Sequence, residues 1–240
     1  MKKFFAGLFA VLAVNVYAQY VQVGDIVPFG DFNLEILSLS PAQMAIAESP
    51  DATGDIEIPD VVTHYDVDYT ITTINPMAFL QNTNITSVVF PSTLVEIGWQ
   101  AFMGCTEIET LHFPASLEKI GNSAFYCFYD EPSALQSIKL DGAMPPTCGE
   151  MVFGSTSYPS GVSQDVVVIV PEGKVDLYRS TKGWNYFFVI TDDENWQSID
   201  EIEDGQKLNP AQPMYDMQGQ SVDASYQGVV VQDGRKYLLH

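Results

Sequence analysis

Three short stretches of this chain repeat one another at a fixed interval. Ile74-Asn75-Pro76-Met77-Ala78-Phe79 is followed by Ile97-Gly98-Trp99-Gln100-Ala101-Phe102 and by Ile120-Gly121-Asn122-Ser123-Ala124-Phe125, each 23 residues after the last. A unit of that length cannot close a core of its own, so it must bury its apolar side chains by stacking on its neighbours. The rest of the period has its own spacing. Ile85, Val88 and Phe90 precede Pro91, and Ile108, Leu111 and Phe113 precede Pro114. Leu135, Ile138 and Leu140 repeat the pattern after about four extra residues, Phe128 to Glu131. Ile56-Glu57-Ile58-Pro59 reads as an earlier rung, and Val166 to Val170 before Pro171 as a last one.

These spacings predict a mainly β fold with short helical turns. Each unit makes one short strand, turns at proline, crosses back through Ile-Gly, and forms a helical or 3₁₀ turn at Ala-Phe. Stacking then sets Ile over Ile and Phe over Phe, with Phe79, Phe102, Phe125 and Phe153 as a spine. The strands form a parallel sheet and the coil is expected to be right-handed. Gly98 and Gly121 stand where a Cβ would collide, and the alanine before each Phe is small because the next rung presses on it.

The i, i+3, i+5 spacing resembles the L-x-x-L-x-L signature of leucine-rich repeats. Phe90-Pro91-Ser92-Thr93-Leu94-Val95-Glu96-Ile97-Gly98, Ala101-Phe102-Met103-Gly104-Cys105 and Phe113-Pro114-Ala115-Ser116-Leu117-Glu118-Lys119-Ile120-Gly121 are similar to BspA-like leucine-rich repeats. That family is common in surface and exported proteins of Bacteroidetes. The likeness runs from about residue 55 to 190. Its end, Val168-Ile169-Val170-Pro171-Glu172-Gly173, Tyr178, Gly183-Trp184 and Ile190, resembles the closing unit of such arrays. The resemblance implies the scaffold, and adhesion-like roles in some members; it names no ligand.

Outside the repeat, the chain divides by composition. Residues 1–18 have Lys2 and Lys3, an apolar run from Phe4 to Val14, and Val16-Tyr17-Ala18 before Gln19, the pattern of a secretory signal peptide. The later sequence has no apolar run of about 20 residues, so no transmembrane segment is expected. Without its leader the chain keeps 8 basic and 31 acidic residues, a net charge of −23. Such a surface repels phosphate backbones and anionic headgroups, so no nucleic acid partner is expected. Residues 19–55 read as an N-terminal β cap, with a strand within Asp31 to Ser40. The solenoid is assigned to 56–190 and an acidic linker to 191–209. Residues 210–240 read as a C-terminal hairpin module, with Asp233-Gly234 as a turn between apolar runs. Tyr215-Asp216 to Gly219, then Gly228-Val229-Val230-Val231, resembles the sorting-type tails of exported Bacteroidetes proteins, although Gln220-Ser221 replaces the usual basic pair. A sorting signal and a docking flap both fit this segment.

The residues that carry chemistry are sparse and scattered. Gly121-Asn122-Ser123-Ala124-Phe125 lacks the final glycine of a hydrolase elbow and lies in the spine. His64, His112 and His240 are far apart, and no zinc or Ca²⁺ spacing is present. There is no glycine-rich phosphate loop. No catalytic residue, cofactor or metal is expected. Cys105, Cys127 and Cys148 suit small buried fillers. As an alternative for two of them, Cys105 and Cys127 fall near one column on adjacent rungs, where oxidation could bridge them.

Without catalytic chemistry, the expected function is binding or adhesion through the concave face of the sheet, with a protein or peptide, host-derived ones included, as ligand. Glu57, Ser87, Val89, Thr110, His112, Ser137, Lys139, Val167 and Ile169 should point outward there. The binding set drawn from them is Ser87, Val89, Thr110, His112, Ser137, Lys139 and Ile169. Tyr126, Phe128 and Tyr129, at the insertion, form a candidate aromatic tip. The competing reading is a structural component of a cell-envelope assembly with no soluble ligand.

Overall fold

The computed structural model describes residues 21–192 and, beyond them, residues 214–216, 221–223, 228–232 and 235–239. The signal-peptide reading and most of the expected linker lie outside the described residues.

The N-terminal segment is an antiparallel meander of β1 (Ile26–Phe29), β2 (Phe32–Leu39) and β3 (Ala42–Ile46). Alternation in β2 buries Phe32, Leu34 and Ile36. After β4 (Gly54–Glu57), a hairpin follows of β5 (Val61–His64) and β6 (Val67–Ile74), whose tip holds Tyr65 and Asp66 at positive φ. β3 pairs in parallel with β6, which joins the cap to the first coil.

Each coil then contributes two strands to two different parallel sheets. The first sheet takes the three- to five-residue segments before the turn: β7 (Ile85–Val89), β9 (Thr110–Phe113), β11 (Ser137–Leu140) and β13 (Val167–Ile169). With β4 at one edge and β14 (Val189–Thr191) at the other, it runs β14-β13-β11-β9-β7-β4. The second sheet continues from β6 through β8 (Glu96–Ile97), β10 (Lys119–Ile120) and β12 (Thr147–Cys148). The Ile-Gly crossings are therefore strands in register, Ile74 to Ile97 to Ile120 to Cys148, and not simple connections.

The Ala-Phe segments differ from the expected helical or 3₁₀ turn. The residue before each small residue has a left-handed backbone: Met77, Gln100, Ser123 and Met151, with φ between 52° and 59°. This kink makes the amides alternate. Ala101, Met103 and Cys105 donate within their own coil, to Gly98, Gln100 and Phe102 carbonyls. Gln100, Phe102 and Gly104 donate to Asn122, Ala124 and Tyr126 of the next coil. A continuous helix would direct its amides into its own coil; the alternation gives each coil a bonded neighbour on a third side. Among the described residues, α-helix is confined to α1 (Val175–Ser180).

The apolar columns form one core. Phe79, Phe102, Phe125 and Phe153 stack with centroids 4.9, 5.2 and 5.5 Å apart. Phe90 and Phe113 form a second column at 5.4 Å and meet the first edge-on. Burying each ring contributes roughly 1.5–3 kcal/mol, and each ring pair about 0.5–1.5 more. Phe32 of the cap meets Phe79 edge-on. At the other end Trp184, fully buried, lies against Phe153 and Phe113 and donates its indole N–H to Pro146 O at 3.1 Å. Buried Tyr178 of α1 donates its hydroxyl to Gly142 O at 2.8 Å. Both ends of the stack are thus covered.

The glycines at the second turn are fixed by approach distance. A Cβ on Gly121 would sit 2.7 Å from Gly98 C and 2.8 Å from Trp99 Cα, and one on Gly98 2.7 Å from Asn75 C. Gly149 is the third of this column, with Asn122 N at 2.7 Å.

The C-terminal strands are β15 (Met214–Asp216), β16 (Ser221–Val222), β17 (Gly228–Gln232) and β18 (Arg235–Leu239). They form an antiparallel sheet of order β16-β15-β17-β18, and Gln232 pairs with Arg235 across the two positions expected to turn.

Candidate functional site

The outward side of the β4–β14 sheet presents side chains in two rows, because parallel register carries each column from coil to coil. One row is Glu57, Val89, His112, Lys139, Ile169 and Thr191. The other includes Thr110, Ser137, Val167 and Val189, with Ser87 at the level of Asp55.

Glu57, Val89, Thr110 and His112 are exposed, Val89 at 57%. Ser87, Ser137, Lys139 and Ile169 are half-buried. Val167 was expected outward but is buried, although it lies outside the core cluster. Its register neighbours are Ser137 and Val189, and two adjacent valines shield each other's flanks.

His112 Nε2 lies 2.8 Å from Asp141 Oδ2, so the row's imidazole is held by a carboxylate from the following coil. Asp141, Lys139 and Ile169 line a depression of about 230 Å³ with Leu140, Val170 and Pro171. The structure thereby gathers His112, Lys139 and Ile169 around Asp141, which the sequence reading did not single out. A signal was present: Asp141 stands after Leu140 where the other rungs carry Pro91, Pro114 and Pro171. At the other end of the face, Asp55 was also missed. Its Oδ1 accepts from Ser87 Oγ at 2.7 Å and Thr86 Oγ1 at 2.8 Å. These bonds, Ser87's first, hold the carboxyl below its ordinary value.

The aromatic tip is smaller than expected. Tyr129 is 79% exposed, but Tyr126 and Phe128 are half-buried. They meet edge-on at 6.1 Å, and Tyr126 donates to Pro159 O at 3.2 Å. The inserted residues fold back on the 159–161 segment: Gly161 N donates to Cys127 O, and Glu131 O comes within 2.8 Å of where a Cβ on Gly161 would be.

All three cysteines are buried free thiols, Cys105 and Cys127 among them. Desolvation pushes Cys105 and Cys148 up to about 12 and raises Cys127, which disfavours the thiolate a nucleophile needs. Cys105 Sγ instead donates to Phe79 O at 3.1 Å. Ser123 sits in the spine turn. Among the described residues no three His, Cys, Asp or Glu side chains group to hold a metal ion, and no helix is long and apolar enough to cross a membrane.

Stacked coils with two parallel sheets and an i, i+3, i+5 apolar pattern define a leucine-rich-repeat solenoid. Residues 61–158 match the BspA type leucine rich repeat region in six copies. None of the curated proteins is a significant sequence match. Among solved structures, the chain is similar to a leucine-rich repeat protein of Bacteroides ovatus, at 22% identity and a TM-score of 0.46 over 69% of this chain and 40% of that one. A leucine-rich repeat protein of Bacteroides capillosus shares 21% identity, with a TM-score of 0.36 over 49% of this chain and 99% of that one. The pneumococcal vaccine antigen PcpA shares 18%, with a TM-score of 0.39 over 65% and 52%. The chain thus spans well under half of the length of the Bacteroides ovatus protein.

Proposed function

We propose that this chain is an exported, non-catalytic recognition module that binds a protein or peptide through the outward face of the β4–β14 sheet. The observation that carries this reading is the row Val89, His112, Lys139 and Ile169, on four successive strands, which sets apolar, imidazole and amine groups side by side on a rigid backbone. Rigid strands hold such a surface with little ordering cost on binding. His112, set on the Asp141 carboxylate, and Lys139 give the row polar groups for a partner's polar side chains to meet. Export rests on residues 1–18 and on the company the repeat family keeps. The covered ends of the stack argue against assembly through an open solenoid end.

The test is binding of residues 19–240 to an array of host matrix proteins and derived peptides, beside the double variant H112A/K139A. A hit weakened at least tenfold in the double variant is expected. A hit that survives it unchanged, or no protein or peptide hit at all, contradicts the reading.

A further inference from the structure

At the closing end of the solenoid, away from the sheet face, an open cleft of about 650 Å³ lies between the 149–158 loop and the 182–186 segment. Its size falls in the range of small-ligand sites. Met151 and Tyr158 supply apolar surface, with Tyr158 64% exposed. Glu150 and Lys182 form an ion pair on its lining, so the two charges there cancel. Asn185 Oδ1 accepts from Gly183 N, which leaves its side-chain NH₂ without a partner among the described residues. The Tyr158 hydroxyl is likewise unpaired there.

The loop that carries Tyr158 is held firmly. Ser155 N donates to Tyr158 O at 2.9 Å, and Tyr158 N returns a bond to Ser155 O and to its Oγ, each at 3.1 Å. Ser160 Oγ donates to Phe153 O and pins the loop base to the aromatic spine. Tyr186, on the opposite wall, is fixed by its hydroxyl on Val162 O at 2.6 Å.

We infer that this cleft is a binding site for a neutral saccharide. An exposed phenol ring offers a flat face to the C–H side of a pyranose. A carboxylate, a side-chain amide and a lysine are the planar and multidentate partners that sugar hydroxyls use. Ser155 and Tyr158 pair their backbone groups with each other across a tight turn, so the loop offers no strand edge to an extended peptide. A net charge near −23 for the exported chain disfavours sialylated or sulfated sugars.

Calorimetric titration of residues 19–240 with maltotriose, cellotriose, mannotriose and chitotriose tests the site, with 3′-sialyllactose as the anionic probe. At least one neutral trisaccharide should bind with Kd of about 0.1–1 mM. Tyr158→Ala should weaken it at least tenfold, Tyr158→Phe less than threefold, and His112→Ala not at all. Asn185→Leu, which removes the amide from the other wall, should also weaken it at least tenfold in protein that still unfolds cooperatively. Absence of binding by every neutral probe, equal binding by Tyr158→Ala, or tighter binding of sialyllactose overturns the assignment.

Discussion

A single methyl group is enough to test how closely the coils approach. Gly121 has no positive φ, so alanine there faces no backbone penalty, only the peptide between Gly98 and Trp99. Gly121→Ala should destabilise by about 1–3 kcal/mol, read as a lower denaturant midpoint; an unchanged midpoint would mean that the coils can move apart freely. The thiols make a second prediction. Burial favours their protonated form, so their contribution to stability is whole below the ordinary thiol value of 9.0 and is lost as pH rises toward about 12. Folded protein at pH 8 should leave Cys105 and Cys148 unreactive toward a disulfide reagent, and unfolding should release all three thiols. Fast reaction in the folded state would contradict this burial. Gly98 and Gly121 were legible because Ile-Gly recurs on period. Gly149 was not, because Cys148 stands in the Ile column and Val152 in the Ala column.

The elements divide in the same way. The longer strands announce themselves through three apolar positions and a proline. The second parallel sheet does not, because a two-residue strand shows no alternation. The left-handed column was hidden for a related reason: Met77, Gln100, Ser123 and Met151 share a backbone state and no side-chain chemistry. A non-glycine residue there costs roughly 1–2 kcal/mol, part of which glycine recovers against its own entropy cost of about 0.5–1. Ser123 is half-buried and its side chain is small, so replacing it by glycine reads mainly the backbone. Ser123→Gly should raise the melting temperature and Ser123→Val should lower it. The reverse order would refute a left-handed turn. The aromatic insertion was misjudged in exposure because its composition is apolar, and only the structure shows Tyr126 and Phe128 folding onto the next loop.

At the scale of the whole molecule, the core columns run unbroken from Phe32 in the cap to Trp184 in the closing unit. That continuity turns a set of units too small to fold alone into a stiff surface. The outward rows were legible in phase, since apolar and outward positions alternate along each strand. What the sequence could not show was the pairing of His112 with Asp141 across coils, which follows from register and not from proximity in the chain.

The most direct test of the proposed face is side-chain footprinting of the complex with a protein or peptide captured by the array. Hydroxyl-radical labelling followed by mass spectrometry reports exposure residue by residue. On binding, Val89, His112 and Ile169 should lose labelling while Tyr129 and Tyr158 keep theirs. Unchanged labelling at Val89 and His112, with protection elsewhere, would contradict the proposed face.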